Sequence, residues 1–479
     1  MQTPLILQSD SYKFGHWLIQ PENTEYMSSY VASRGGFQDY TEFFGIQIFL
    51  KKLLTQKITK ADVFKAKALI DAHIGPGIFN FKGWMKIVNV YDGKLPVKIY
   101  ALKEGTILPG KMPLVRIENT DPDLAFLVGY LETPMLRDIW YGTTVATVSL
   151  AMKKTIMEKL KLTSDDPEGA IDFMLHDFGY RGVSSDESAQ MGALAHMINF
   201  QGTDTVAGLI AAMEYYNAEG PVGFSVLASE HSVTCALSDA ENRDDFAAAE
   251  KMVTLLENRV KETGEFQIVS AVADTYDVFR FTEEYIGTRL KDRIVNSGGR
   301  FVVRPDSGDA NTIPVQLVEI LLDKFGYEVN EKGYKVLPPC IRVLQGDGIN
   351  DQTIKNILGL AMTKNIAAEN FVFGSGGGLL QHADRDWLKF AMKCSAVQEN
   401  GVWKDVFKDP ITDQGKTSLK GRVTTVINQN GEYECKRLEN VLDTDEDQLQ
   451  LVFENGEILF EQTFEEVRQR AKDTMKFVI

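Results

Sequence analysis

The chain has 479 residues, too many for one ordinary core, which predicts two or three domains or one large barrel with an attached lobe. Hydrophobic content of 44% and charged content of 25% are those of a folded globular protein. The formal net charge of −16, from 51 basic and 67 acidic residues, argues against broad binding to nucleic acid or an anionic membrane and confines any anion site to a local basic pocket.

The amino-terminal "MQTPLILQSDSYKFGHW" has no basic n-region and only a short apolar stretch, so it reads as neither signal peptide nor membrane span. Nothing later reaches spanning length. Cys235, Cys340, Cys394 and Cys435 form no C-x-x-C pair, which suits reduced thiols in a cytoplasm and carries no zinc signature. "GIQIFLKKLLTQ" and "ADVFKAKALIDAH" have helical spacing, whereas the stretch from "LPVKIY" to "PLVRIENTDP" reads as short strands broken by Gly105, Pro109, Gly110 and Pro113. "TTVATVSLAMKKTIMEKL" then predicts a long helix with Thr143 or Thr144 as its N-cap. Residues 1–165 are expected to form an α+β lobe.

Between 166 and 394 a unit recurs, in which an apolar strand-like run ends in a polar or glycine signature and a helical stretch follows. The units are "IDFML" with His176-Asp177-Phe178-Gly179-Tyr180-Arg181, "MINFQ" with Gly202-Thr203-Asp204, "VGFSVLA" with Ser229-Glu230-His231, and "FQIVSAVA" with Asp274. "FVVR" with Pro305-Asp306-Ser307-Gly308, "IRVLQ" with Gly346-Asp347-Gly348, and "NFVF" with Gly374-Ser375-Gly376-Gly377-Gly378 complete the series. Alternating strands and helices predict a parallel sheet. Polar residues gathered at the carboxyl ends of about seven such strands favour an irregular TIM-like α/β barrel over an open doubly wound sheet, with the active site on that face. Residues 395–479 return to hairpin signals, including the Asn430-Gly431 and Asn455-Gly456 turns, and end in a helix. They are expected to complete the first lobe.

Several strand ends carry chemistry. The glycine run fits neither G-x-G-x-x-G nor the P-loop, so it reads either as a backbone cup for phosphate or as a flexible turn. Arg304 supplies a guanidinium suited to phosphate, and Asp306 and Asp347 could accept from sugar hydroxyls or hold magnesium through water. Each aspartate alone is equally an N-cap; their clustering is what points to a site. His231, with Glu230 beside it and Asp274 in the next unit, could have its tautomer fixed by a carboxylate and act as base or phosphoryl acceptor. A core histidine bonded to a carbonyl is the alternative. His176 is a weaker candidate. Phe178 offers a stacking face and Arg181 a polar contact.

Asp10-Ser11-Tyr12-Lys13, His176 to Gly182, Gly202-Thr203-Asp204-Thr205, Ser229-Glu230-His231-Ser232, Arg304 to Gly308, Gln345 to Gly348, Gly374 to Gly378 and Phe407-Lys408-Asp409-Pro410 resemble, in order, the motifs of the nicotinamide phosphoribosyltransferase family. The match runs over nearly the whole chain and draws on both lobes. A shorter stretch around residues 34–41 suggests a bacterial-type member.

The resemblance implies a type II phosphoribosyltransferase that makes nicotinamide mononucleotide and pyrophosphate from nicotinamide and 5-phosphoribosyl 1-pyrophosphate in NAD salvage. It implies a homodimer in which Phe178 of one subunit and Tyr12 of the other sandwich the nicotinamide ring. Asp204 would accept from the carboxamide, with Ser225 and Arg181 near the base. Arg304, Asp306, Gly346 and the Gly376-Gly377 backbone would hold the phosphoribosyl group, with Asp347 near the ribose. Arg385, Lys393, Lys408 and Lys416 would meet phosphate and pyrophosphate groups, with Asp10 nearby. Mg²⁺ would be held mainly by substrate phosphates. ATP would serve as a coupled co-substrate through a phosphohistidine at His231, supported by Glu230 and Asp274. No nucleic acid or membrane partner is expected. The rival readings are a nicotinate phosphoribosyltransferase, which Asp204 disfavours by like-charge repulsion with nicotinate, and a non-catalytic binding protein on the same fold. An aldolase-like sugar-phosphate barrel lacks a convincing strand-end Schiff-base lysine.

Overall fold

The computed structural model describes residues 3–412 and 414–475. The chain divides into two compact units: Met1–Thr147, Ala211–Glu219 and Asp384–Ile479 form the first, and Val148–Ile210 with Gly220–Ala383 the second.

The first unit is built on a seven-stranded sheet in the order Val402–Asp405, Ala391–Glu399, Thr24–Ala32, Val115–Asn119, Val97–Ala101, Gln450–Glu454, Glu457–Ile458. Every neighbouring pair is antiparallel, and strands from both ends of the chain share the sheet as expected. Val97, Ile99 and Ala101 are buried while Lys98 and Tyr100 are half-buried, the period-2 pattern of a strand with one face on a core. That core includes Val31, Phe49, Ile117 and Phe453. Both Asn-Gly turns occur where they were predicted. Asn455 and Gly456 have φ of 51° and 90°, the conformation a two-residue hairpin loop requires, and Gly431 turns the Val423–Ile427 and Tyr433–Arg437 hairpin.

Thr143 and Thr144 do not start a helix. The helix runs from Glu132 to Thr163, and Thr144 Oγ1 donates to the Trp140 carbonyl at 2.5 Å, the back-bond of a hydroxyl inside a helix. Thr143 Oγ1 donates instead to the Phe44 carbonyl at 2.9 Å.

The second unit is the barrel. Its strands are β1 (Leu175–Asp177), β2 (Gly202–Thr203), β3 (Leu227–Ala228), β4 (Ile268–Val272), β5 (Arg300–Arg304), β6 (Ile341–Gln345) and β7 (Phe371–Ser375). All pair in parallel, each with the next in chain order except β2 with β3, and β7 pairs with β1. The sheet curls until its edges meet through an isolated parallel bridge from Gly202 to Phe224. The result is a strongly curled, incompletely closed seven-stranded barrel. Phe301, Val303, Ile341, Val343, Phe371 and Phe373 are fully buried and supply its packed walls.

Three strand runs differ from expectation. "IDFML" supplies only Leu175 to β1, because Ile171 ends the helix Pro167–Ile171. "MINFQ" is not a strand: Met197 ends the helix Asp186–Met197, and only Gly202–Thr203 pairs. "VGFSVLA" contributes only Leu227–Ala228 to the ladder. Apolar runs of this length do not distinguish a buried helix end from a strand. Among the described residues no helix is long and apolar enough to cross a membrane, and all four cysteines are free.

Candidate active site

Seven strand ends converge on one face of the barrel, and the loops beyond them carry most of the residues singled out in the sequence. A cavity of about 690 Å³ is lined by Phe178, Tyr180, Arg181, Asp204, Glu230, His231, Arg304 and Asp306. A smaller, more apolar cavity of about 200 Å³ shares Phe178, Asp204 and Arg304 and adds Ser225 and His176.

The glycines explain how Phe178 reaches this place. The Phe178 amide donates to the Ser375 carbonyl at 3.0 Å, which ties the end of β1 to the end of β7. Its ring then lies against Gly374, where an added Cβ would come within 2.1 Å of Phe178 Cε2, far inside van der Waals contact. A Cβ at Gly346 would meet the same ring at 3.5 Å. Gly378 is required by backbone, since a Cβ there would come 2.4 Å from the Ile349 carbonyl oxygen. Gly377 opens a short turn of helix, Gly377–Gln381, whose first N–H groups have no intrahelical partner.

His231 starts the helix that follows β3. Its Nε2 lies 3.0 Å from Asp274 Oδ1 at the end of β4, and its Nδ1 lies 3.9 Å from Asp306 Oδ2 beyond β5. An ionised Asp274 only accepts, so Nε2 carries the proton and Nδ1 presents a lone pair. At 3.9 Å Asp306 is beyond hydrogen-bond distance of Nδ1, and it attracts the ring only when the imidazole is protonated. Glu230 is occupied elsewhere: Ser232 Oγ donates to its carboxylate, so the imidazole is oriented by Asp274. Arg304 Nη2 donates to the Ser229 carbonyl at 2.7 Å, which aligns the guanidinium with the loop that carries Glu230 and His231.

Asp204 is exposed at the mouth. Its amide donates to the Asp177 carbonyl at 2.9 Å, and its carboxylate accepts from Ser225 Oγ. Behind it, Asp177 is fully buried, and that burial pushes its carboxyl above the usual range, opposed by hydrogen bonds from Thr205, Gly179 and Thr203. Burial likewise lowers the His176 imidazole, which favours the neutral ring. Asp347 is exposed beyond β6, and its carbonyl accepts from Gln345 Nε2 at 2.9 Å.

The other predicted residues belong to the first unit. Asp10 accepts from Thr133 Oγ1 at 2.6 Å, and Tyr12 is 63% exposed with its ring 5.2 Å from that of His16. Arg385 pairs with Asp386 at 3.2 Å. Lys393 is lowered first by burial, with Glu132 opposing and Arg34, Lys408 and Lys13 adding to the lowering, so these four cations form one positive cluster. Lys416 lies on an exposed turn. Sequence reasoning gave no role to Tyr180, although it lies in a quoted motif, and missed Arg34, which stands in no motif.

The fold and the cavity define an α/β-barrel enzyme whose site combines a stacking ring, an oriented histidine, carboxylates and an arginine. Residues 173–457 match the nicotinate phosphoribosyltransferase family, and residues 4–99 match the nicotinamide phosphoribosyltransferase N-terminal domain. The chain is 46% identical over 473 residues to the nicotinamide phosphoribosyltransferase of Xanthomonas campestris pv. campestris, covering 98% of each chain. It is 31% identical to that of Acinetobacter baylyi, over 96% of this chain and 95% of the relative. Its fold is similar to the crystal structure of nicotinate-nucleotide pyrophosphorylase from Pyrococcus furiosus, with a TM-score of 0.63 at 18% identity over 98% of this chain and 96% of that one. The chain therefore belongs to the nicotinate phosphoribosyltransferase family, and it is a phosphoribosyltransferase.

Proposed function

We propose that the enzyme transfers the phosphoribosyl group of 5-phosphoribosyl 1-pyrophosphate to the ring nitrogen of nicotinamide, yielding nicotinamide mononucleotide and pyrophosphate. The observation that carries this choice of base is Asp204, an exposed carboxylate beside the Phe178 ring, steadied by Ser225. A carboxamide donates to it; the carboxylate of nicotinate would meet like charge and leave both groups unpaired. The name borne by the 46%-identical Xanthomonas relative supports the same base.

The reaction passes through an oxocarbenium-like state, and the pyridine nitrogen carries no proton, so the chain's work is positioning and electrostatics. Phe178 aligns the ring, Asp306 favours the developing cation, and Arg304 with the glycine turn receives the ribose phosphate. The positive cluster of Lys393, Lys408 and Arg34 suits pyrophosphate or ATP, and this reading assigns Lys416, Arg385 and Asp10 to the same phosphate groups. Among the described residues no three His, Cys, Asp or Glu groups gather as a metal nest; Asp306 and Glu230 on the cavity wall fit Mg²⁺ held chiefly by substrate phosphates. Bound there, Mg²⁺ would neutralise charge on the departing pyrophosphate.

His231 is the phosphoryl acceptor that couples ATP hydrolysis to turnover. Asp274 holds Nε2, so phosphorylation falls on Nδ1. The working unit is a homodimer in which the exposed Tyr12 of a second copy closes over the base. Val206 and Ile210, 58% and 57% exposed one turn apart beyond Asp204, supply an uncovered apolar surface that supports the pairing.

The test is product formation by purified protein with phosphoribosyl pyrophosphate and Mg²⁺, comparing nicotinamide with nicotinate, each with and without ATP. Preference for nicotinamide, raised by ATP, is expected, and Asp204→Ser should relax it; preference for nicotinate would refute the base assignment.

A further inference from the structure

Asp177 is a fully buried carboxylate that contacts neither cavity, yet both halves of the base site hang from it. On one side its Oδ1 accepts from the Gly179 amide at 2.7 Å, closing an Asx-turn around Phe178. On the other its Oδ2 accepts from Thr203 Oγ1 at 3.1 Å, and that hydroxyl accepts in turn from the Thr205 amide at 3.0 Å. Its own carbonyl accepts from the Asp204 amide at 2.9 Å. The chain on either side of Asp204 is therefore pinned to the same residue that turns Phe178 into the cavity.

We infer that Asp177 is the positioning residue of the base site, setting the spacing between the Phe178 stacking face and the Asp204 acceptor. The inference rests on the reading of these two groups as the base site given above. A stacked ring fixes the plane of the base and Asp204 fixes its in-plane rotation, so loss of their mutual register weakens base binding before it weakens anything else. Arg304 stands on β5, away from Asp177, and the glycine turn meets Asp177 only through the backbone pairing of Ser375 with β1, which a change of the Asp177 side chain leaves in place.

The test compares Asp177→Ala, Asp177→Asn and Thr203→Val by steady-state kinetics, with thermal melting to confirm folding. Asp177→Ala is expected to raise the KM for the base roughly tenfold, as for loss of a hydrogen bond to a charged group, while the KM for phosphoribosyl pyrophosphate stays within about twofold. Asp177→Asn keeps an oxygen for the Gly179 amide and should recover most of that loss. Thr203→Val, close to isosteric, keeps the test decisive if the alanine variant does not fold; by removing both the bond to Asp177 and the one from the Thr205 amide it should raise the base KM roughly three- to tenfold. Parallel increases in both KM values, or an unchanged base KM in folded variants, would overturn the inference. The base used is whichever the wild type turns over, so a wrong choice between nicotinamide and nicotinate leaves the test of Asp177 intact.

Discussion

Adding one methyl group to Gly374 should disable base binding while leaving the barrel folded. Gly374 has no positive φ, so alanine suits the backbone of β7, and the difficulty is wholly steric. The new Cβ would stand 2.1, 2.4 and 2.9 Å from three carbons of the Phe178 ring. The ring must retreat by more than about 1 Å to restore ordinary carbon contact near 3.5 Å. It cannot do so by sliding along the loop, because its amide is bonded to Ser375 and the next amide to Asp177. Overpacking of this kind costs about 1–3 kcal/mol, and here the strain falls on the ring that positions the base. The expected result is a fall in kcat/KM for the base of roughly five- to 150-fold, using about 1.4 kcal/mol per tenfold, with the protein still folded by thermal melting. Gly376→Ala should be milder toward the base, because its Cβ would come no nearer than 3.2 Å to the Phe178 carbonyl oxygen, with the Phe178 carbonyl carbon at 3.6 Å and Gly179 Cα at 3.8 Å, and none of these nearest atoms belongs to the ring. An unchanged base KM in Gly374→Ala, or a larger rise in the base KM in Gly376→Ala, would refute the argument.

Four further outcomes are expected. Gly359→Ala, in the helix Asp351–Thr363 with open space around the position, should stabilise the protein by about 0.5–1 kcal/mol and leave kinetics unchanged, as chemical denaturation and steady-state assays would check. Asp245 is fully buried with both carboxylate oxygens lacking a hydrogen-bond partner, and burial pushes its pKa from 3.8 up to about 6. Between those values the folded state holds more protons than the unfolded state, so stability falls as pH rises through this window and stays lower above it. Asp245→Asn should therefore raise the melting temperature at pH 7.5, by a gain of at most about 3 kcal/mol that disappears below about pH 4; a gain independent of pH would refute the assignment. His231→Ala should remove the ATP-dependent increase in turnover together with acid-labile labelling by γ-labelled ATP. Asp274→Asn should reduce that labelling by about tenfold or more through loss of tautomer control; persistent labelling in His231→Ala would move the phosphoryl acceptor elsewhere.

Features that depend on neighbouring residues were legible in the chain alone. Period-2 burial over Val97–Ala101, the Asn430-Gly431 and Asn455-Gly456 turns, and the alternation of strands with helices all follow from local backbone preference, and together they define the barrel with its β-rich lobe. The polar strand ends were legible for the same reason, since a parallel barrel places every strand's carboxyl end on one face. Tertiary structure decided what those residues do. Thr143 and Thr144 have the chemistry of an N-cap, but packing beside Phe44 holds them within a longer helix. Glu230 adjoins His231 in sequence, yet Ser232 takes its carboxylate and Asp274, 43 positions from the histidine, takes the ring. Gly374 reads as part of a turn, and its steric purpose exists only because β7 closes against β1 and brings the Phe178 ring onto it. Local propensity selects the elements; which side chains meet is set by how the sheet curls, and that depends on contacts between residues far apart in the chain.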